Sequence, residues 1–153
     1  MIYISGYTLS ANFPTQQLAG AYWQSNNGGG CDIFILKFNN QCVRQWATYY
    51  GGNNNDGMDF NTYNLIHSDT LDNIYIVGKT SSTNFPTQQL KYWQPNLSGA
   101  YDAFILNFNK NGIRQWATYY GANSKANGNG LTVDKNNNIY FIGEWDSIGA
   151  YTI

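Results

Sequence analysis

Apolar positions along the chain fall in short runs, alternating with polar ones and broken by Asn- and Gly-rich stretches, which is the pattern of short β-strands. Residues 73–80 read as one strand, with Tyr75 and Val77 on one face and Ile74 and Ile76 on the other. Residues 102–109 read as the next; their near-continuous apolar run Ala103-Phe104-Ile105-Leu106 is expected of a strand covered on both faces. Residues 113–120, rich in aromatic and β-branched side chains, make another, and a weaker strand over 63–69 precedes the three. Between the last two strands, Asn109-Lys110-Asn111-Gly112 predicts a tight hairpin turn in which Gly112 takes a positive φ.

The pattern repeats. Asn12-Phe13-Pro14-Thr15-Gln16-Gln17-Leu18 returns at 84–90, and Tyr22-Trp23-Gln24 returns as Tyr92-Trp93-Gln94. Arg44-Gln45-Trp46-Ala47-Thr48-Tyr49-Tyr50-Gly51 returns unchanged at 114–121. Asp32 with Phe34-Ile35-Leu36 matches Asp102 with Phe104-Ile105-Leu106, and an Ile-Tyr pair occurs at Ile2, Ile74 and Ile139. The matching blocks mark strands and the stretches of unequal length between them mark loops. Counted from the Ile-Tyr strand, the units run approximately over 1–72, 73–137 and the start of a third at 138–153. A four-stranded meander with aromatic side chains on both faces cannot cover itself in water and must stack on its neighbours. The predicted fold is therefore all-β: tandem four-stranded antiparallel blades of a β-propeller, two full repeats plus part of a third, belonging to a larger propeller. The first unit begins in its second strand, at residues 2–8, and the last holds a first strand and a second at 138–145. Open faces at both ends predict self-association or cover by further blades. Cys42 occupies the position of Gly112 in the earlier turn, where a positive φ costs about 1 kcal/mol.

Composition narrows the chemistry. A content of 42% hydrophobic and 17% aromatic residues in 153 supports a packed core, while 11% charged residues with a net charge of -1 offer no basic surface for nucleic acid. No run is long enough to insert into a membrane, and the first residues do not read as a secretion signal. Cys31 and Cys42 fall at opposite ends of a hairpin, too far apart for a disulfide.

Few side chains suggest a site. The single histidine, His67, has no nucleophile and base pattern around it, so a non-catalytic protein is expected. The loop Asn53-Asn54-Asn55-Asp56-Gly57-Met58-Asp59 is rich in oxygen ligands, and Asp56 and Asp59 are candidate Ca²⁺ ligands, although Asx-rich turns also fold without metal. Phe13, Trp23, Phe85, Tyr92 and Trp93, in the long loops after the Ile-Tyr strands, are candidates for stacking on a glycan; the competing expectation is that Phe85 and Trp93 fold the loop back onto its blade. Asp32, Asp102, Arg44 and Arg114 recur at strand starts, which points to pairing between strands or to anchoring of loops.

The chain supplies Asp69, Asn73-Ile74-Tyr75, Gly78, Thr80, Ser82, Phe85-Pro86-Thr87, Asp102-Ala103-Phe104, Phe108-Asn109, Gly112, Trp116, Thr118-Tyr119 and Gly121. In these residues the chain resembles the bacterial β-propeller repeats of the SBBP family. Asn107 departs from the lysine present as Lys37, Ala122 from the glycine present as Gly52, and Ala126 from the acid present as Asp56. The resemblance implies secreted or cell-surface proteins without an established active site. The expected function is thus a non-catalytic structural or interaction module that binds a protein partner, or the remaining blades of its parent, through loops. The alternative is a carbohydrate-binding module.

Overall fold

The structure is a computed structural model that describes residues 1–57 and 65–146. These residues form nine strands and no helix: β1 Ile2–Thr8, β2 Asp32–Phe38, β3 Arg44–Tyr50, β4 Leu65–Ser68, β5 Ile74–Thr80, β6 Asp102–Phe108, β7 Arg114–Tyr120, β8 Lys125–Val133 and β9 Ile139–Asp146. They assemble into three antiparallel sheets, β1-β2-β3, β4-β5-β6-β7 and β8-β9, each in chain order, and the sheets do not close into a ring.

The expected strands are present. Tyr63 and Asn64, assigned to the weak first strand, lie outside the described residues, and Asp69 caps the turn after β4 instead of extending it. Its carboxylate accepts the Leu71 and Asn73 amides and the Asn73 and Tyr75 side chains. The same turn is used four times. Asn39, Asp69, Asn109 and Asp134 each accept the amides two and four residues on, and the fourth residue of each turn takes a positive φ: Cys42 at 59°, Asp72 at 62°, Gly112 at 75° and Asn137 at 63°.

The core lies between the first two sheets. Ile33, Ile35, Trp46 and Tyr50 of the first pack against Ile74, Ile76, Phe104, Leu106, Phe108, Ala117 and Tyr119 of the second. Phe108 is the centre of this contact, with ring centroids 5.3 Å from Trp46 and 5.7 Å from Tyr50. The opposite face of the second sheet meets the third. There Tyr120 packs edge-on to Phe141, and Gly128 comes so close to Gly78 that an added side-chain carbon would lie 3.0 Å from its carbonyl oxygen.

The long loops run along the outer strands. Gln16 and Ala47 exchange backbone hydrogen bonds of 2.8 and 2.9 Å, and the Tyr49 amide donates to the Gln24 carbonyl. Gln88, Ala117, Gln94 and Tyr119 repeat this arrangement on β7. The edges of β3 and β7, which would otherwise present unpaired backbone groups, are thereby capped by their own chain.

Candidate interaction surfaces

The glycan candidates divide into two groups. Phe85 is enclosed by Phe104, Tyr50 and Tyr119 at 4.9, 5.2 and 5.8 Å, so its ring face is unavailable to a ligand and the stacking role is corrected to packing. Phe13 is half-buried against Phe34 and Tyr49, and its amide donates to the Tyr49 hydroxyl at 2.7 Å, as the Phe85 amide does to Tyr119. Trp23, Tyr92 and Trp93 point outward, with exposures of 41%, 57% and 37%. Trp23 and Trp93 occupy equivalent places on successive loops, and no ring contact joins them among the described residues; Tyr92 lies 5.8 Å from Tyr120.

Asp59 lies outside the described residues. Asp56 is buried, and its oxygens accept the Gly52 amide at 2.6 Å and the Ser82 hydroxyl at 2.7 Å, with the Thr80 hydroxyl closing the set. Three donors satisfy a carboxylate without a cation, and no cluster of three metal-binding side chains occurs among the described residues. Asp56 therefore ties the connector after β3 to the end of β5. Asn53, Asn54 and Asn55 extend the tie through bonds to Ser81, Ser82, Thr83 and Asn84.

The recurring charges anchor loops and do not pair with each other. Arg114 donates to Gln88, the Pro86 carbonyl and the Tyr50 hydroxyl, and its guanidinium lies 5.1 Å from the Tyr22 ring centre. Arg44 makes the matching bonds to Gln16 and the Pro14 carbonyl. Asp32 accepts Gln24 Nε2 at 2.7 Å and the Gly28 amide at 2.9 Å; Asp102 accepts Gln94 Nε2, the Ser98 amide and the Ser98 hydroxyl. Sequence reasoning missed Gln24 and Gln94. The repeated Tyr-Trp-Gln signalled them, but attention went to its aromatic members. The repeated Gly51 and Gly121 have a reason the sequence did not show: a side-chain carbon there would sit within 2.4 Å of Asp32 or Asp102, so only glycine fits. His67 is half-buried on β4 opposite Tyr75.

What remains open is apolar. Ile2 and Ile4 of β1 are exposed although their counterparts Ile74 and Ile76 are fully buried, and Tyr140, Ile142 and Trp145 are exposed on β9. Phe34, Leu36 and Phe38 are half-buried where Phe104, Leu106 and Phe108 are enclosed.

Tandem antiparallel sheets of near-identical sequence, stacked face to face, define a β-repeat protein. Residues 115–144, from β7 into β9, match the family model of SBBP, a β-propeller repeat. Comparison with curated proteins finds no match.

Proposed function

We propose that the chain is a non-catalytic structural and interaction module of a secreted or cell-surface β-propeller, in which each sheet is a blade. Its working surfaces are the open sheet faces and the rim loops beside them. The observation that carries this reading is the contrast between Ile4 at 43% exposure and Ile76 at 0%: one position of one repeat, covered by a neighbouring sheet in the second case and open in the first. Side chains with acid–base potential support it too, since Asp32, Asp56, Asp102, Arg44 and Arg114 are engaged in holding loops.

Paired substitutions test the open face without needing a partner. Ile2→Asn with Ile4→Asn is expected to leave the urea midpoint nearly unchanged and to weaken binding of an apolar dye, whereas Ile74→Asn with Ile76→Asn abolishes folding. Equal destabilisation by both pairs would mean that the first face is already filled and is no docking surface.

A carbohydrate-binding reading is favoured by the outward rings of Trp23, Tyr92 and Trp93 on the long loops. It requires that glycans quench tryptophan fluorescence in the parent chain and fail to do so after Trp23→Ala with Trp93→Ala.

A further inference from the structure

The junction between the first two sheets holds two carboxylates, those of Asp32 and Asp56, on either side of Gly51. A carbon added to Gly51 would lie 2.4 Å from Asp32 Oδ1 and 2.8 Å from Asp56 Oδ2, so both oxygens border one small space. Both side chains are fully buried. Asp56 is well provided as an anion, with an amide and two hydroxyls donating to it. Asp32 is not: Gln24 and Gly28 donate to Oδ2, and Oδ1 has no hydrogen-bond partner. A buried acceptor without a donor, next to a second carboxylate, is the place where a proton relieves both the orphaned oxygen and the repulsion.

We infer that Asp32 and Asp56 form a one-proton site, with the proton on Asp32 Oδ1, that tightens the clamp between the first and second sheets in mild acid and loosens it at neutral pH. The groups that act on the pair are Cys31 just before β2, Tyr22 of the first long loop, Tyr50 of β3 and Tyr119 of β7, and each is neutral. Burial pushes the Cys31 thiol up to about 11 and Tyr22 and Tyr119 up to about 12, and raises Tyr50 further. Burial likewise raises Asp32 and Asp56 to about 6. A carboxyl whose pKa is higher folded than unfolded holds its proton more tightly when folded. The junction is therefore most stable at low pH and loses stability as pH rises through about 6. The second junction is a built-in control. Asp102 Oδ1 is also unpartnered there, but Ala126 stands where Asp56 stands, with the Ala126 amide bonded to Tyr101 as that of Asp56 is to Cys31.

The test measures urea stability, together with hydrogen-exchange protection of residues 53–57 and 80–84, at pH 5 and pH 7.5. The expected result is higher stability at pH 5 and protection factors larger there by on the order of tenfold or more. Asp32→Asn, which places a permanent N–H where the proton sits, is expected to hold the clamp tight at both pH values, while Asp102→Asn leaves the pH dependence in place. Carbon-13 titration of the aspartate carboxyls in the unaltered chain gives a reading independent of any variant, with one carboxyl of the pair titrating near pH 6. Stability that does not change between the two pH values, a change that survives Asp32→Asn, or both carboxyls titrating near pH 4 would each overturn the proposal.

Discussion

β3 and β7 are the same seven residues, Arg-Gln-Trp-Ala-Thr-Tyr-Tyr, pair with their hairpin partners in the same register, and end in different surroundings. Tyr50 is fully enclosed and Tyr120 is 43% exposed; Trp46 is enclosed and Trp116 half-buried. The cause lies across the junction. Trp46 and Tyr50 face a four-stranded sheet that supplies Phe108, Phe85 and Arg114, whereas Tyr120 faces a two-stranded sheet that supplies Phe141. Burial in such a repeat is thus a property of the neighbour as much as of the strand. The two junctions diverge in polar detail as well. Lys37 crosses to the Lys110 carbonyl of the next sheet, while Asn107 at the same place bonds the Ile74 carbonyl within its own sheet.

The widest expected separation is at the tryptophans. Trp46→Ala removes a fully packed ring and the bond from its Nε1 to the Tyr22 carbonyl, and is expected to cost about 3–5 kcal/mol, against less than about 2 kcal/mol for Trp116→Ala in urea unfolding. Equal losses would break the comparison by showing that the third sheet covers its neighbour as fully as the second does. A smaller separation is expected for the terminal tyrosines. Tyr50→Phe deprives both the Pro86 carbonyl and Arg114 of a partner and should lower stability by about 1–3 kcal/mol, with Tyr120→Phe staying within about 0.5 kcal/mol. The smallest effect is expected at the hairpin turns: Cys42→Gly relieves a φ of 59° and should raise the thermal midpoint by the equivalent of about 1 kcal/mol. Gly112→Ala should lower it, because φ is 75° and the new carbon would lie 2.9 Å from Ala21 Cβ.

The strands were legible because their blocks repeat and because the hairpin turns between them begin at an Asn or Asp. The turn at Gly112 and its strained partner at Cys42 could be read in advance. Those at Asp72 and Asn137 could not be read from glycine placement, since the signal there is the Asn or Asp three residues earlier. The candidate sites were less legible. Asp56 in an Asn-rich loop looks the same whether its oxygens meet a cation or the Thr80 and Ser82 hydroxyls, which come from a segment more than twenty residues on. Phe85 and Trp93 sit in one loop, and the first turns in because Phe104, Tyr50 and Tyr119, which come from distant strands, enclose it, while the second stays out.

The capped outer strands have a consequence for growth. Because the Gln16 and Gln88 segments already occupy the backbone positions beside Ala47 and Ala117, neither β3 nor β7 can template an incoming strand. Extension by lateral ribbon formation, the route to fibrils, is closed along that side. A sheet added face to face along the stack meets side chains instead of backbone, so a mismatched neighbour is rejected by shape.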